Sequence, residues 1–140
     1  MRSLICAMLL TVVAPAAAVA GDLKLTITDV KDDKGFVLGA IYDSPASFMK
    51  PEAATTKFRL KAAAGQVSYV FHNLKPGKYA ITVFHDANNN GKLDTNSTGI
   101  PIEGYGFSNN AQGVAGPPTA GQAAFDFDGQ DKAITIGLDY

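Results

Sequence analysis

Apolar and polar residues alternate with a period of two along most of the chain. Leu23, Leu25 and Ile27 alternate with Lys24, Thr26 and Thr28, which predicts a half-buried strand. After the polar turn "DDKG", the run "FVLGAIY" (36–42) is apolar on both faces and predicts a more central strand. Phe58, Leu60 and Ala62 alternate with Lys57, Arg59 and Lys61, so these three cations share one strand face, read as a solvated outer surface. Two long runs, "QVSYVFHNL" and "KYAITVFHD", flank "KPG". Pro76 presets the first corner of a turn and Gly77 can accept the positive φ of a type II turn, which predicts an antiparallel hairpin. "AAFDFD" and "KAITIGLDY" supply the last two strands, and "SFMKPEAAT" at most a helical turn interrupted by Pro51. The pattern predicts an all-β fold: an antiparallel β-sandwich of about seven strands, with one long ordered loop after residue 85.

The first residues change the picture of what folds. Arg2, an apolar run from Leu4 to Val13 and the small-residue series ending Ala18-Val19-Ala20 read as a secretory signal peptide at residues 1–20, cleaved after Ala20. That run is too short to span a bilayer, and no other stretch reaches the roughly 18 apolar residues of a transmembrane helix. Residues 21–140 are then a single exported domain. Cys6 leaves with the leader, so an exported chain without a disulfide must rely on its core or on a bound ion. The mature chain carries 11 basic against 13 acidic groups, which points away from nucleic acid and anionic membrane surfaces as partners.

Residues 85–118 carry the candidate chemistry. Asp86, Asn88 and Asn90 are spaced two apart, Gly91 follows, and Asp94 is ninth from Asp86. A calcium loop needs this order: alternate side chains turn inward, a glycine allows the bend, the seventh residue (Lys92) offers its backbone carbonyl and the ninth another oxygen. The twelfth position is Ser97 where a bidentate Glu is usual, so Glu103 is the candidate to complete the shell. With two certain carboxylates, the expected affinity is about 10⁻⁴ to 10⁻³ M, as in extracellular modules. Asn and Asp also cap their own turns, so a metal-free loop remains open as a second reading. A transition-metal centre is disfavoured, because His72 and His85, placed on adjacent strands of the expected hairpin, stand about 20 Å apart at about 3.3 Å per residue.

Neither a nucleophile elbow nor a phosphate-binding glycine loop is present, although Ser108 follows "GYGF". Tyr105, Phe107 and Asn109 form a candidate surface for a protein or glycan of the cell envelope. The leading reading is a non-enzymatic module, with calcium as its cofactor if the loop binds an ion. The rival is a hydrolase or lyase in which His85, with Asp86 or Glu103, supplies acid and base. About 30 residues without secondary structure are uncommon in a compact domain unless functional or disordered, and the aromatics and prolines here predict order.

The ordered set "LKPGKYA", "HDANNNGKLD", "GIPIEGYGFSNN" and "GPP" resembles the bacterial domain of unknown function 2141 family over the whole mature chain. The resemblance implies an exported, periplasmic protein of Gram-negative bacteria with no established activity. Locally, "NLKPGKYAITV" is similar to carboxypeptidase-regulatory-like and transthyretin-like sandwiches, which implies a prealbumin or immunoglobulin-like topology but transfers no function.

Overall fold

The computed structural model describes residues 12–140; residues 1–11, and with them most of the expected signal peptide and Cys6, lie outside the described residues. Residues 12–20 are irregular and exposed. Eight strands follow: β1 (Gly21–Val30), β2 (Phe36–Tyr42), β3 (Thr56–Lys61), β4 (Gly65–Leu74), β5 (Gly77–Asp86), β6 (Tyr105–Phe107), β7 (Phe125–Phe127) and β8 (Lys132–Gly137). The fold is all-β, in two open sheets ordered β4-β1-β8 and β3-β2-β5-β6, with β7 also on β5. Helix is confined to single turns at Pro51–Ala53 and Ser108–Asn110 and the short α1 (Ala120–Ala123). Among the described residues no helix is long and apolar enough to cross a membrane.

Both sheets contribute to one core. Leu23, Leu25 and Ile27 of β1 and Ile136 of β8 face Val37, Ile41, Ile81 and Val83 of the larger sheet, all of them buried. Phe58 closes one side of that core, stacked on Tyr69 at 4.6 Å and edge-on to Phe71 at 5.8 Å. Gly39 lies directly across from Phe58 on β2, and the ring occupies the space that a side chain at Gly39 would need. β1 was read correctly as half-buried: its inner residues are apolar, and the outer rows of its sheet are Lys24–Val70–Ala133 and Thr26–Ser68–Thr135.

Two expectations about pairing fail. The "KPG" stretch does not close a hairpin: β4 pairs β1 and β5 pairs β2, so the chain passes from one sheet to the other. Asn73, not Gly77, takes the left-handed conformation, at φ 53. Asp22 holds that corner, accepting from the Asn73 N–H at 3.1 Å and contacting His72 Nδ1 at 2.9 Å. The backbone donor first, then His72, keeps the Asp22 carboxyl below its ordinary range. The Tyr79 hydroxyl donates to the Lys75 carbonyl at 2.7 Å on the other side of Pro76. Local turn chemistry was outweighed by the long ladders that β1 and β2 offer. Nor is the fold wholly antiparallel, because β8 runs parallel to β1, pairing Leu23 with Lys132 through Thr28 with Gly137. The chain reaches β8 from β7, in the other sheet, and that crossover sets its direction. His72 and His85 consequently sit on different sheets.

A methyl group at Gly39 would lie 2.3 Å from the Phe58 ring. Phe58 is locked between Tyr69 and Phe71, so Gly39→Ala is expected to cost about 1–3 kcal/mol as overpacking. Urea unfolding measures it, and an unchanged midpoint would show that Phe58 is not seated as described.

Candidate functional site

β5 is hydrogen-bonded along both edges, to β2 on one side and to β7 and then β6 on the other, so the end of this central strand is fixed. Its last two residues are polar, yet each is only 1% exposed: His85 faces inward and Asp86 outward. A buried ring nitrogen or carboxylate must be paired, and both are. His85 Nε2 lies 2.8 Å from the Lys34 carbonyl, which can only accept, so Nε2 donates. Nδ1 lies 2.9 Å from the Tyr140 hydroxyl, and that hydroxyl also accepts from the Lys31 N–H at 2.9 Å. The ring therefore ties the turn between β1 and β2 to the C-terminal residue.

Asp86 closes the loop that follows it. One carboxylate oxygen accepts from the Asn90 N–H at 3.0 Å and the other from the Gly91 N–H at 2.8 Å. Gly91 has φ 77 and Asn89 φ 57, left-handed turns that let those two donors face back toward Asp86. Glu103, 8% exposed, staples the far side, accepting from the Ala87 N–H at 3.1 Å and the Asp94 N–H at 3.0 Å. Asn88 and Asn90 turn their side-chain amides to the Asp94 carboxylate, Asn90 Nδ2 standing 2.8 and 2.9 Å from its two oxygens. Asn90 Oδ1 accepts from the Lys92 N–H at 3.0 Å. Asp86 and Glu103 are thus taken up by backbone donors, and Asn88 and Asn90 bond to Asp94. Among the described residues no group of three or more His, Cys, Asp or Glu forms a metal cluster.

The long stretch after residue 85 is built, not bare. Thr95 bridges Pro101, Tyr105–Phe107 forms β6, a strand that the period-two pattern does not predict, and Ser108 is buried, accepting from the Ile81 N–H at 2.9 Å. Of the candidate surface residues Tyr105 is partly open and Asn109 exposed. Phe107 is buried against Phe48 at 6.3 Å, and Asn109 Nδ2 donates to the carbonyls of Gln122 and Ala124 at 3.1 and 2.6 Å, holding α1 in place. The acid–base pair fares no better, since both His85 nitrogens and both Glu103 oxygens are engaged within the fold. Two cavities lie elsewhere: one of about 100 Å³ near Tyr42, Lys78 and Ala120, and one of about 570 Å³ between the edges of β3 and β4, near Thr56, Tyr69 and His72. The partners missed in the sequence are Lys34, Tyr140 and Arg59, whose guanidinium donates to Asn89 Oδ1 at 2.8 Å. No spacing rule reaches them, for each contacts the loop or strand end through the fold.

Two open sheets on one core, with a carboxylate-stapled loop at the end of the central strand, define an all-β loop-bearing module. The chain belongs to the family described as "Uncharacterized protein conserved in bacteria (DUF2141)", which matches residues 25–135. No curated protein and no solved structure matches the chain.

Tyr140→Phe removes the hydroxyl that meets His85 Nδ1 and leaves a buried ring nitrogen unpaired, at a cost of about 1–3 kcal/mol in thermal unfolding. Alkali should destabilise the protein as well. Burial foremost holds the phenols of Tyr42, Tyr79 and Tyr140 above their ordinary value. Their folded forms keep the proton longer than the unfolded chain, so stability present below about pH 10 is lost as pH rises beyond it. A flat melting temperature from pH 9 to 11 would contradict this.

Proposed function

We propose that the protein is a non-enzymatic, exported module of the bacterial envelope, a β-sandwich of transthyretin-like or immunoglobulin-like type whose loop after residue 85 serves as a rigid, calcium-stabilised support for a binding surface. One observation carries the reading: the polar groups at the end of β5 are consumed in building the loop. Asp86 and Glu103 spend their oxygens on four backbone N–H groups, and His85 spends both nitrogens on Tyr140 and Lys34. Groups held in this way position a surface better than they transfer protons. Export and a periplasmic location rest on the leader-like residues 1–20 and the small residues before Gly21.

The donor set suits a hard cation. Asn88, Asn90 and Asp94 offer side-chain oxygens, Lys92 a backbone carbonyl, and each Asp86 oxygen a second lone pair beside the backbone N–H it accepts. Asn88 and Asn90 present amide nitrogens to Asp94, so ion binding requires both amides to turn their oxygens inward. The ion would replace hydrogen bonds of moderate strength and lock the loop.

Calorimetric titration of the chelator-treated mature chain tests this. Saturable calcium binding is expected at about 10⁻⁴ to 10⁻³ M, with a melting temperature that rises with calcium. Asp94→Asn should abolish both effects while leaving the ion-free protein close to its original stability. Asp86→Asn should destabilise the protein even without calcium, because it weakens a buried acceptor of two backbone donors. Absence of heat and of any shift in melting temperature would remove calcium from the reading.

A further inference from the structure

The two sheets differ on their outer faces. Cross-strand register places Arg59, Leu38, Phe84 and Tyr105 in one outward row across β3, β2, β5 and β6. At about 4.8 Å per strand, this row spans roughly 14 Å. Leu38, Phe84 and Tyr105 are partly exposed along it, whereas the matching face of the smaller sheet carries Thr26, Ser68 and Thr135. The neighbouring rows end in Lys57 and Lys61 on β3. The Arg59 guanidinium lies 3.2 Å over the centre of the partly exposed Phe36 ring, and Asn89 holds it in that place. Across these rows the one acid is Asp86, which is buried with both oxygens on backbone donors. A partly exposed apolar floor thus meets a file of three exposed cations, of which Arg59 donates to Asn89 and Lys61 to the Asp33 and Gly35 carbonyls, and none of the three is in an ion pair among the described residues.

We propose that this face binds an acidic polysaccharide, one carrying uronic-acid carboxylates. The floor suits the apolar faces of sugar rings, and the cations of β3, two residues apart, suit carboxylates recurring along a chain. A lipid surface calls for protruding, fully exposed apolar side chains, whereas Leu38, Phe84 and Tyr105 are only partly exposed. An acidic peptide adding as a strand calls for a free backbone edge, whereas this is a face. The inference rests on the reading of the protein as a non-enzymatic envelope-binding module, and it makes the loop a support for the site: Asn89 orients Arg59.

Isothermal titration of the mature protein with alginate oligomers, neutral mannan oligomers and phosphatidylglycerol vesicles tests the proposal. Alginate should bind, weaken as salt rises and outcompete mannan. Lys57→Glu reverses an exposed charge for which no fold contact is seen, and should weaken alginate binding by about fivefold or more. Tyr105→Leu should weaken it at an unchanged melting temperature. Equal binding of mannan, binding of vesicles alone, no binding to any of the three, or alginate binding indifferent to both substitutions would each overturn the proposed site. Mass spectrometry of the recovered alginate separates the two readings, since shortened chains would overturn the non-enzymatic reading while leaving the binding face intact.

Discussion

The rest of the structure depends on the double pairing of β5. A strand hydrogen-bonded on both edges cannot slip by one residue without exchanging its two faces. Fixing β5 fixes Ile81 and Val83 toward the core, Thr82 and Phe84 toward the outside, and His85 and Asp86 at a defined place at the end of the sheet. Strand β6 has its place only because β7 occupies one half of the same edge and leaves the other half free. The loop between β5 and β6 must therefore start and finish at points the sheet has already chosen.

Buried polarity at that strand end is resolved by backbone donors. Two carboxylates and one imidazole out of solvent would be costly if left unpaired. Here each is matched by amide or carbonyl groups of turns that would otherwise need water. The trade runs in both directions: the side chains lose their solvent, and the turns gain the conformation that satisfies them. That reciprocity explains how a stretch with so little regular structure keeps a defined path, and why its asparagines take left-handed backbone without glycine's freedom.

Much of the fold was legible because alternation reports burial directly. Every run of alternating residues became a strand, and the apolar run at 36–42 is central, as its two-sided hydrophobicity implied. Partner and direction were not legible, because alternation is the same whichever strand lies alongside. The "KPG" turn was therefore read as a hairpin, and β8 was read without its parallel direction. In the site, the Asp-x-Asn-x-Asn-Gly spacing marked residues that the fold gathers into one hydrogen-bonded loop. What they converge on was divided among side-chain and backbone partners that spacing does not encode, such as Glu103 with the Ala87 amide. Tyr140 and Lys34 escaped for the same reason, lying 55 and 51 residues from the imidazole they fix.

The parallel pairing of β1 with β8 has a kinetic side. Leu23 finds Lys132, and the Asp22 amide finds the Asp131 carboxylate, across 109 residues of chain. The smaller sheet cannot be completed until β8 is available, so until then β1 keeps one edge unpaired. Closing such a long loop before any contact rewards it slows folding. A fold built in this way completes its smaller sheet only when β1 and β8, far apart in the chain, meet.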